Sequence, residues 1–168
     1  DLTGLSLRNL DNVSYPQYTS YLPFYREVID IIRRHSDSRI VLGGSAFSLG
    51  CPFNCIYCTY PIIEGRRVRL RSPKRICDEI ESLVEFGINN LFVVDNEFNF
   101  PVEHAQFVCH EIIKRKLKIK WSAYANPKFI HPRLVALMRE SGCSGVEFGS
   151  DAADPFMLKQ MGKAFSLE

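Results

Sequence analysis

The chain has 168 residues, of which 46% are hydrophobic and 24% are charged, and its formal net charge is +2. This length predicts about one domain with enough chain to bury a hydrophobic core. The small net charge gives no support for a polyanionic partner such as nucleic acid. No apolar run approaches the roughly 18 residues that a membrane-spanning helix needs, and no signal peptide is visible, so we expect a cytoplasmic protein.

The first 49 residues have the pattern of a β-α-β unit. Residues 1–8 (DLTGLSLR) predict a buried strand, and residues 23–35 predict a helix with its apolar side chains on one face. Residues 39–44 (RIVLGG) predict a second strand that ends in two glycines. Because the chain opens within a strand, we expect further residues before it in the whole protein.

Three cysteines follow in the string CPFNCIYC. Thiolates so close in the chain can bind one metal centre, but three of them are one ligand fewer than a closed zinc site or an ordinary four-cysteine iron–sulfur cluster requires. The nearest histidines, His35 and His104, are too distant in the chain for a short zinc knuckle. The predicted metal ligands are therefore Cys51, Cys55 and Cys58, with one coordination position open; a zinc knuckle or a surface cysteine loop is the alternative.

A basic run comes next, at Arg66, Arg67, Arg69 and Arg71. Such a run is typical of a solvated loop, and the alternative is a clamp for a carboxylate or phosphate. The other three cysteines lie in or beside patterned segments, which predicts buried side chains in a reducing compartment: Cys77, Cys109 and Cys143.

The rest of the chain alternates helices with strands. Ser72 and Pro73 open a predicted helix that Gly87 ends, because Ser caps helix N-termini and Gly accepts a left-handed backbone at the C-terminus. Further helices are predicted over residues 101–116 and 131–141, and strands over 91–95, 117–124 and 145–149. Strands about 30 residues apart, separated by amphipathic helices, indicate a parallel α/β fold, either a barrel or an open sheet.

Polar residues stand at the predicted carboxyl ends of these strands, where α/β folds bind their ligands. Singly, each of these side chains could equally cap the following helix. As a set they predict one shared cavity, and its candidate residues beside the cysteines are Asp95, Asn96, Glu97, Ser122, Glu147 and Asp151.

The CxxxCxxC motif, with the aromatic Tyr57 directly before the last cysteine, resembles the motif of the radical S-adenosylmethionine (SAM) enzymes. The resemblance implies a four-iron four-sulfur cluster on the three cysteines, with the amino and carboxylate groups of SAM on the open iron. It also implies a partial (β/α)6 barrel, of which this chain supplies about the first four units.

The same resemblance implies roles for the candidate residues. Residues 95–97 lie where the family contacts the SAM amino group, and Tyr57 lies where it places a neighbour of the adenine. Glu147 or Asp151 is a candidate for the ribose hydroxyls, and Ser122 is a further SAM candidate.

The first part of the chain resembles the Rossmann-like domain that binds cobalamin in some of these enzymes. A small hydroxyl residue and glycines let a bulky ligand approach the backbone, and the cobalamin candidates are Ser6, Arg8, Asn9, Gly43 and Gly44. Arg8 stands where the family has Leu, and the Asp-x-His-x-x-Gly motif that supplies a lower cobalt ligand is not in this sequence. Cobalamin is then expected to bind without a histidine ligand; an ordinary β-α unit whose glycines form a turn is the alternative.

On this basis we expect the end of a cobalamin-binding domain over residues 1–49 and the first part of a radical SAM barrel over residues 50–168. In the family a substantial segment connects the two. We therefore expect connecting residues to be missing between Leu49 and Gly50, and further barrel units beyond residue 168.

Together these resemblances imply a cobalamin-dependent C-methyltransferase. Reductive cleavage of SAM would give a 5′-deoxyadenosyl radical that takes a hydrogen atom from an unactivated carbon, and methylcobalamin would then supply the methyl group. The cluster would need a low-potential electron donor such as flavodoxin or ferredoxin. The alternatives are a radical SAM enzyme of another reaction type (rearrangement, dehydrogenation or methylthiolation) and a non-catalytic metal-binding module. The substrate cannot be predicted from this chain.

Overall fold

The computed structural model describes residues 43–167, together with Asp11, Phe24, Glu27, Val28, Asp30, Ile31 and Arg34. The described positions inside the predicted helix 23–35 are helical. The first predicted strand lies outside the described residues, and so do the cobalamin candidates Ser6, Arg8 and Asn9.

A parallel sheet of four strands, in the order β1-β4-β5-β6, forms the centre of the fold, and a two-stranded antiparallel pair, β2 with β3, lies beside it. The strands are β1 Gly43–Ser45, β2 Ser48–Leu49, β3 Arg69–Leu70, β4 Asn90–Val93, β5 Lys120–Ala125 and β6 Cys143–Phe148. Every neighbouring pair within the four-stranded sheet is parallel. The predicted α/β fold with parallel strands is thereby confirmed.

Helices connect the parallel strands, as parallel pairing requires. They are α1 Tyr60–Ile63, α2 Pro73–Glu85, α3 Val102–Lys114, α4 Pro132–Glu140 and α5 Pro155–Gln160. Helix α2 has the predicted capping: Ser72 Oγ accepts a hydrogen bond from the Arg75 backbone N–H, and Gly87 after the helix has φ +84°. Within the described part of the chain, no helix combines the length and the apolar character that crossing a membrane would take.

The core lies between one face of the sheet and helices α2, α3 and α4. Alternate residues of the strands, such as Leu91, Val93 and Trp121, point into this layer and are almost fully buried. Trp121 packs on Phe98 with ring centroids 4.7 Å apart and donates its indole N–H to the Ser141 carbonyl at 3.1 Å, so it is a core residue and not part of a pocket.

The other face of the sheet carries the polar residues. Ser122 and Tyr124 alternate with the buried positions of β5, and Glu147 on β6 stands beside Tyr124 in the sheet register. Phe92 of β4 contacts Tyr124 edge to face, with centroids 5.2 Å apart. Ser122 and Glu147 therefore lie on the same face of the sheet, opposite the core.

Strand β1 contains the two glycines that end the strand predicted over residues 39–44. It pairs with β4 in the register Gly43↔Leu91, so within the described residues it is an edge strand of the same sheet as the rest of the fold. A Cβ atom at Gly43 would lie 3.0 Å from Ile88 Cγ2 and 3.1 Å from Leu91 Cδ2, so this glycine permits close packing against the core.

The domain boundary predicted at 49/50 comes directly after β2, which pairs with β3. The Gly50 N–H donates to Glu64 Oε2 at 2.9 Å and the Cys51 N–H donates to the Gly65 carbonyl at 3.1 Å. The connecting residues expected between Leu49 and Gly50 stay a prediction. The extent of a cobalamin-binding domain before Gly43 stays a prediction.

Candidate functional site

The three cysteines lie on a loop, residues 50–58, that follows β1 and β2 at the carboxyl end of β1; we refer to it as the cysteine loop. It begins at Gly50, whose φ is +93° and where a Cβ atom would lie 2.3 Å from the Arg67 carbonyl oxygen. Only glycine fits this backbone path. The loop ends in a tight turn in which the Cys58 N–H donates to the Cys55 carbonyl at 3.1 Å.

All three thiols are free, Cys51 is buried, and Cys55 and Cys58 are half-buried. Burial raises the pKa of Cys51 and of Cys55, and the negative charges of Glu97 and of the neighbouring cysteines add to the effect. The surroundings therefore oppose negative charge on Cys51, whereas at Cys55 the Lys163 ammonium partly offsets that effect. A bound metal centre would favour all three thiolates.

The spacing of the thiols bears on which metal centre fits. A zinc ion holds its ligands within about 2.3 Å of one point. Within residues 43–167 no three His, Cys, Asp or Glu side chains converge in that way. An iron–sulfur cluster takes one thiolate on each iron, so its cysteines need to be neighbours without meeting at a point. Three free thiols on one short loop would give such a cluster three ligands and leave one iron without a cysteine.

The basic run after the cysteine loop fixes the loop itself. Arg66 donates to the Asn54 side chain at 2.6 Å and to the Phe53 carbonyl at 3.2 Å. Arg71 donates to the Ala46 carbonyl at 2.7 Å and forms a buried ion pair with Glu79 at 2.6 Å, and Glu79 also accepts from Ser45 Oγ. Arg71 is therefore held by protein groups, whereas Arg66 makes its bonds at the exposed surface, as the solvated-loop reading predicts.

Aromatic packing holds the outer side of the cysteine loop. The Phe53 ring lies 5.2 Å from the Phe100 ring and 6.0 Å from the Phe129 ring, measured between centroids. Phe100 and Phe129 belong to the loops after β4 and β5. The apolar cluster therefore joins the carboxyl-end loops of three strands into one rim around the site.

Asp95 positions the chain just before the cysteine loop. Its carboxylate is 3% exposed and accepts hydrogen bonds from the Phe47 N–H at 2.6 Å, the Ser48 N–H at 3.0 Å and Ser48 Oγ at 2.9 Å. Burial raises the pKa of Asp95 to about 6 although these donors favour the charged form. These bonds assign Asp95 to positioning the chain before the cysteine loop, and its predicted contact with SAM stays a prediction.

Asn96 and Glu97 differ from Asp95 in having unused acceptor atoms. Asn96 donates through Nδ2 to Glu64 Oε2 at 2.7 Å, but its Oδ1 atom is buried without a hydrogen-bond partner. The Oε2 atom of Glu97 is likewise buried and without one. Among the described residues these two are the buried side-chain oxygens or nitrogens left unpaired, and they are adjacent in the chain.

The electrostatics of Glu97 agree with this geometry. Burial raises its pKa to about 7, against the opposing effects of the Asn126 side chain and the positive charge of Lys163. Because Glu97 in turn raises the pKa of Cys51 and Cys55, its carboxylate is close to the thiols. An unpaired buried acceptor costs free energy until a donor reaches it, so this recess favours a ligand with N–H groups beside the cysteines.

Tyr57, Asp151 and Lys163 form a cluster that the sequence analysis found in part. The Tyr57 hydroxyl donates to Asp151 Oδ2 at 2.5 Å, and the Lys163 ammonium donates to the same oxygen and to the Gly149 carbonyl at 2.6 Å. The ion pair with Lys163 and the Tyr57 hydroxyl lower the pKa of Asp151. Lys163 was missed because its partners lie up to 106 residues away, and no motif marks it.

A reciprocal amide pair fixes the loops after β4 and β5. Asn99 donates through Nδ2 to the Asn126 carbonyl at 2.8 Å and accepts from the Asn126 N–H at 2.8 Å. Both residues are buried. This pair holds the loop that carries Asn96 and Glu97 against the end of the neighbouring strand.

Comparisons with known proteins agree with the site. The model of the Radical SAM superfamily matches residues 45–168. An uncharacterized methyltransferase of Pyrococcus horikoshii is 28% identical over 161 residues, which cover 95% of this chain and 33% of that protein. The anaerobic magnesium-protoporphyrin IX monomethyl ester cyclase of Rubrivivax gelatinosus is 32% identical over 126 residues, which cover 73% of this chain and 22% of the cyclase.

Among solved structures, the radical SAM methyltransferase TsrM from Kitasatospora setae, with cobalamin and a [4Fe-4S] cluster bound, resembles this fold. The TM-score is 0.70 at 28% identity, and the similar region covers 74% of this chain and 26% of TsrM. The chain therefore spans a third or less of each of these proteins. Since the superfamily model matches well over half of the residues, in the region that holds the three thiols, the chain belongs to the radical SAM superfamily.

Proposed function

We propose that the whole protein is a radical SAM enzyme with its cluster on Cys51, Cys55 and Cys58. The observation that carries this proposal is the pair of unpaired acceptors, Asn96 Oδ1 and Glu97 Oε2, beside three neighbouring free thiols. When bound, the cluster and SAM supply the one-electron cleavage that starts radical chemistry. The protein's own residues bind, orient and exclude water.

We assign the two acceptors to the amino group of SAM. An iron-bound amine has N–H groups to donate, and a buried carboxylate beside an amide oxygen can accept two of them. Asn96 is held for this by its hydrogen bond to Glu64, which also accepts from the Gly50 N–H. One carboxylate, that of Glu64, therefore sets both the start of the cysteine loop and the position of the amine acceptor.

The remaining SAM contacts are proposed at the rim and on the polar face of the sheet. Tyr57 is exposed on the cysteine loop and suits the adenine. Ser122 and Glu147, on neighbouring strands of one face, are proposed for polar groups of SAM. Asp151 keeps its Oδ1 atom for the ribose hydroxyls, because the bonds from Tyr57 and Lys163 both use Oδ2.

We further propose cobalamin-dependent methylation of an unactivated carbon. It is supported by the similarity to TsrM, a methyltransferase with cobalamin bound. Ser6, Arg8, Asn9 and Gly44 stay proposed cobalamin residues. Gly43 does not, because the side where its Cβ would stand is filled by Ile88 and Leu91. The substrate class is left open, since a relative of similar identity is a cyclase.

A cytoplasmic location and a flavodoxin or ferredoxin as electron donor belong to the same proposal. They are supported by six free cysteines and by the need of a low-potential cluster for an anaerobic, reducing environment.

The test uses the full-length protein, reconstituted anaerobically with iron and sulfide and then reduced. We expect the electron paramagnetic resonance (EPR) spectrum of a reduced four-iron cluster, with a signal that shifts when SAM is added. Cys55→Ala should lose this signal, whereas Cys143→Ala, which also removes a free half-buried thiol, should keep it. A signal indifferent to SAM, or one that survives Cys55→Ala, would contradict the proposal.

Methyl transfer is tested separately from cluster chemistry. Methyl-labelled SAM should transfer its label to a substrate only in protein that contains cobalamin. Cleavage of SAM without label transfer, in protein that copurifies without cobalamin, would favour another radical SAM reaction.

A further inference from the structure

The turn that follows α5, residues 161–163, packs directly on the cysteine loop. The Ile56 N–H donates to the Met161 carbonyl at 3.1 Å. Gly162 has φ +69°, and a Cβ atom there would lie 2.4 Å from the Asn54 carbonyl oxygen and 3.7 Å from the Cys55 Cα. The backbone of this turn is therefore in contact with the loop residue that carries one of the three thiols.

Lys163 fills the space between this turn and the strand-end loop after β6. Its side chain is 6% exposed. Its ammonium donates to the Gly149 carbonyl at 2.6 Å and to Asp151 Oδ2, and it lies 5.1 Å from the centre of the Tyr57 ring. A buried ammonium is stable only when it is paired, and here a carboxylate, a carbonyl and an aromatic face surround it.

The charge of Lys163 lies beside the cysteine loop. Its ammonium is 5.1 Å from the centre of the Tyr57 ring, and Tyr57 directly precedes Cys58. The neighbouring Gly162 packs on the backbone of Asn54 and Cys55. Lys163 thus offsets part of the negative charge that gathers around the cysteine loop.

We propose that Lys163 is a positioning residue that holds Tyr57 and Asp151 together and, by its charge beside the cysteine loop, raises the reduction potential of the cluster. This inference rests on the proposed function, because it requires a cluster on the three cysteines. The step concerned moves one electron from a low-potential donor, which is oxidised, to the cluster, which is reduced, with no bond made or broken. A nearby cation favours the more negative, reduced state.

The experiment is a potentiometric titration of the reconstituted full-length protein without SAM, with the reduced cluster followed by EPR. In Lys163→Met we expect the ratio of reduced to oxidised cluster at a fixed potential to fall about tenfold, which corresponds to 59 mV for one electron. Lys163→Arg keeps the charge and should stay close to the wild type. Lys159→Met, which removes an exposed lysine of α5, is the matched control.

Asp151→Asn tests the opposite direction and serves if Lys163→Met does not retain its cluster. Removing the counter-charge should make reduction easier, so the ratio of reduced to oxidised cluster should rise. An unchanged titration curve in Lys163→Met with full iron content, or in Asp151→Asn, would overturn the inference. If the wild-type cluster itself failed to form or ignored SAM, the proposed function would fail instead, and the two failures are thereby distinguished.

Discussion

The segments after β1 and after β4 lie side by side but differ in their buried polar groups. The backbone N–H groups of Phe47 and Ser48, after β1, are paired with the Asp95 carboxylate, and the Ala46 carbonyl is paired with Arg71, which also binds Glu79. One residue beyond Asp95, Asn96 Oδ1 and Glu97 Oε2 are buried and unpaired. The paired groups thus fix the path of the loop, and the unpaired ones are those that the proposed function assigns to ligand binding.

Removing a paired group should damage the fold most. Asp95→Ala would leave three buried donors of Phe47 and Ser48 without an acceptor, at about 1 to 3 kcal/mol for each. We expect the free energy of unfolding, measured with denaturant, to fall by about 4 kcal/mol in total. Ser48→Ala removes one of the three bonds and should cost about 1 kcal/mol. Equal losses in the two variants would contradict the role of Asp95.

Substitutions at two glycines near the cysteine loop distinguish the effect of a steric clash from that of backbone strain alone. Gly50 and Gly65 both have a positive φ, but a Cβ atom at Gly50 would lie 2.3 Å from the Arg67 carbonyl oxygen, whereas one at Gly65 would meet nothing within 4 Å. Gly65→Ala should cost about 1 kcal/mol of stability from strain alone. Gly50→Ala should cost about 3 kcal/mol and reduce the iron bound on reconstitution. Full iron content in Gly50→Ala would show that the path of the loop matters less than the geometry indicates.

Removing the charge of an unpaired group should instead stabilise the protein before ligand binds. The folded-state pKa of Glu97 is raised to about 7, so the folded state holds its proton more tightly than the unfolded state. The contribution of Glu97 is therefore present at low pH and lost as pH rises toward about 7. Between pH 5 and pH 8 the wild type should lose about 2 kcal/mol more unfolding free energy than Glu97→Gln. Glu103→Gln, an exposed glutamate of α3, should follow the wild type.

Much of the fold could be predicted from local sequence signals such as helix-capping residues. Helix α2 is capped by Ser72, opened by Pro73 and followed by Gly87, all within a few residues of the helix itself. Helix α5 was missed although it has the same kind of signal, since Asp154 Oδ1 accepts from the Met157 N–H at 2.8 Å and Pro155 stands at its first position. Strand β1 lies at the end of the strand predicted over residues 39–44, but only its pairing with β4 places it in this sheet.

Site residues that are close in the sequence could be predicted from their spacing, whereas those brought together only by folding could not. Cys51, Cys55 and Cys58 are close in sequence, so their common role is visible there. A carboxylate at a strand end suits a ligand or a backbone donor equally. Asp95 binds backbone donors, whereas Glu97 Oε2 is unpaired. Lys163 meets Tyr57 and Asp151 only in the folded chain.

The most direct measurement is the affinity for SAM of the reduced, reconstituted full-length protein, read from the shift of its EPR signal, in the wild type, Glu97→Gln and Glu103→Gln. If Glu97 accepts the SAM amino group, Glu97→Gln should retain its cluster and bind SAM about tenfold more weakly, in line with a charge-assisted hydrogen bond of about 1.5 kcal/mol. Glu103→Gln should bind as the wild type does. Equal affinity in Glu97→Gln and the wild type would contradict the assignment of the unpaired acceptors to SAM.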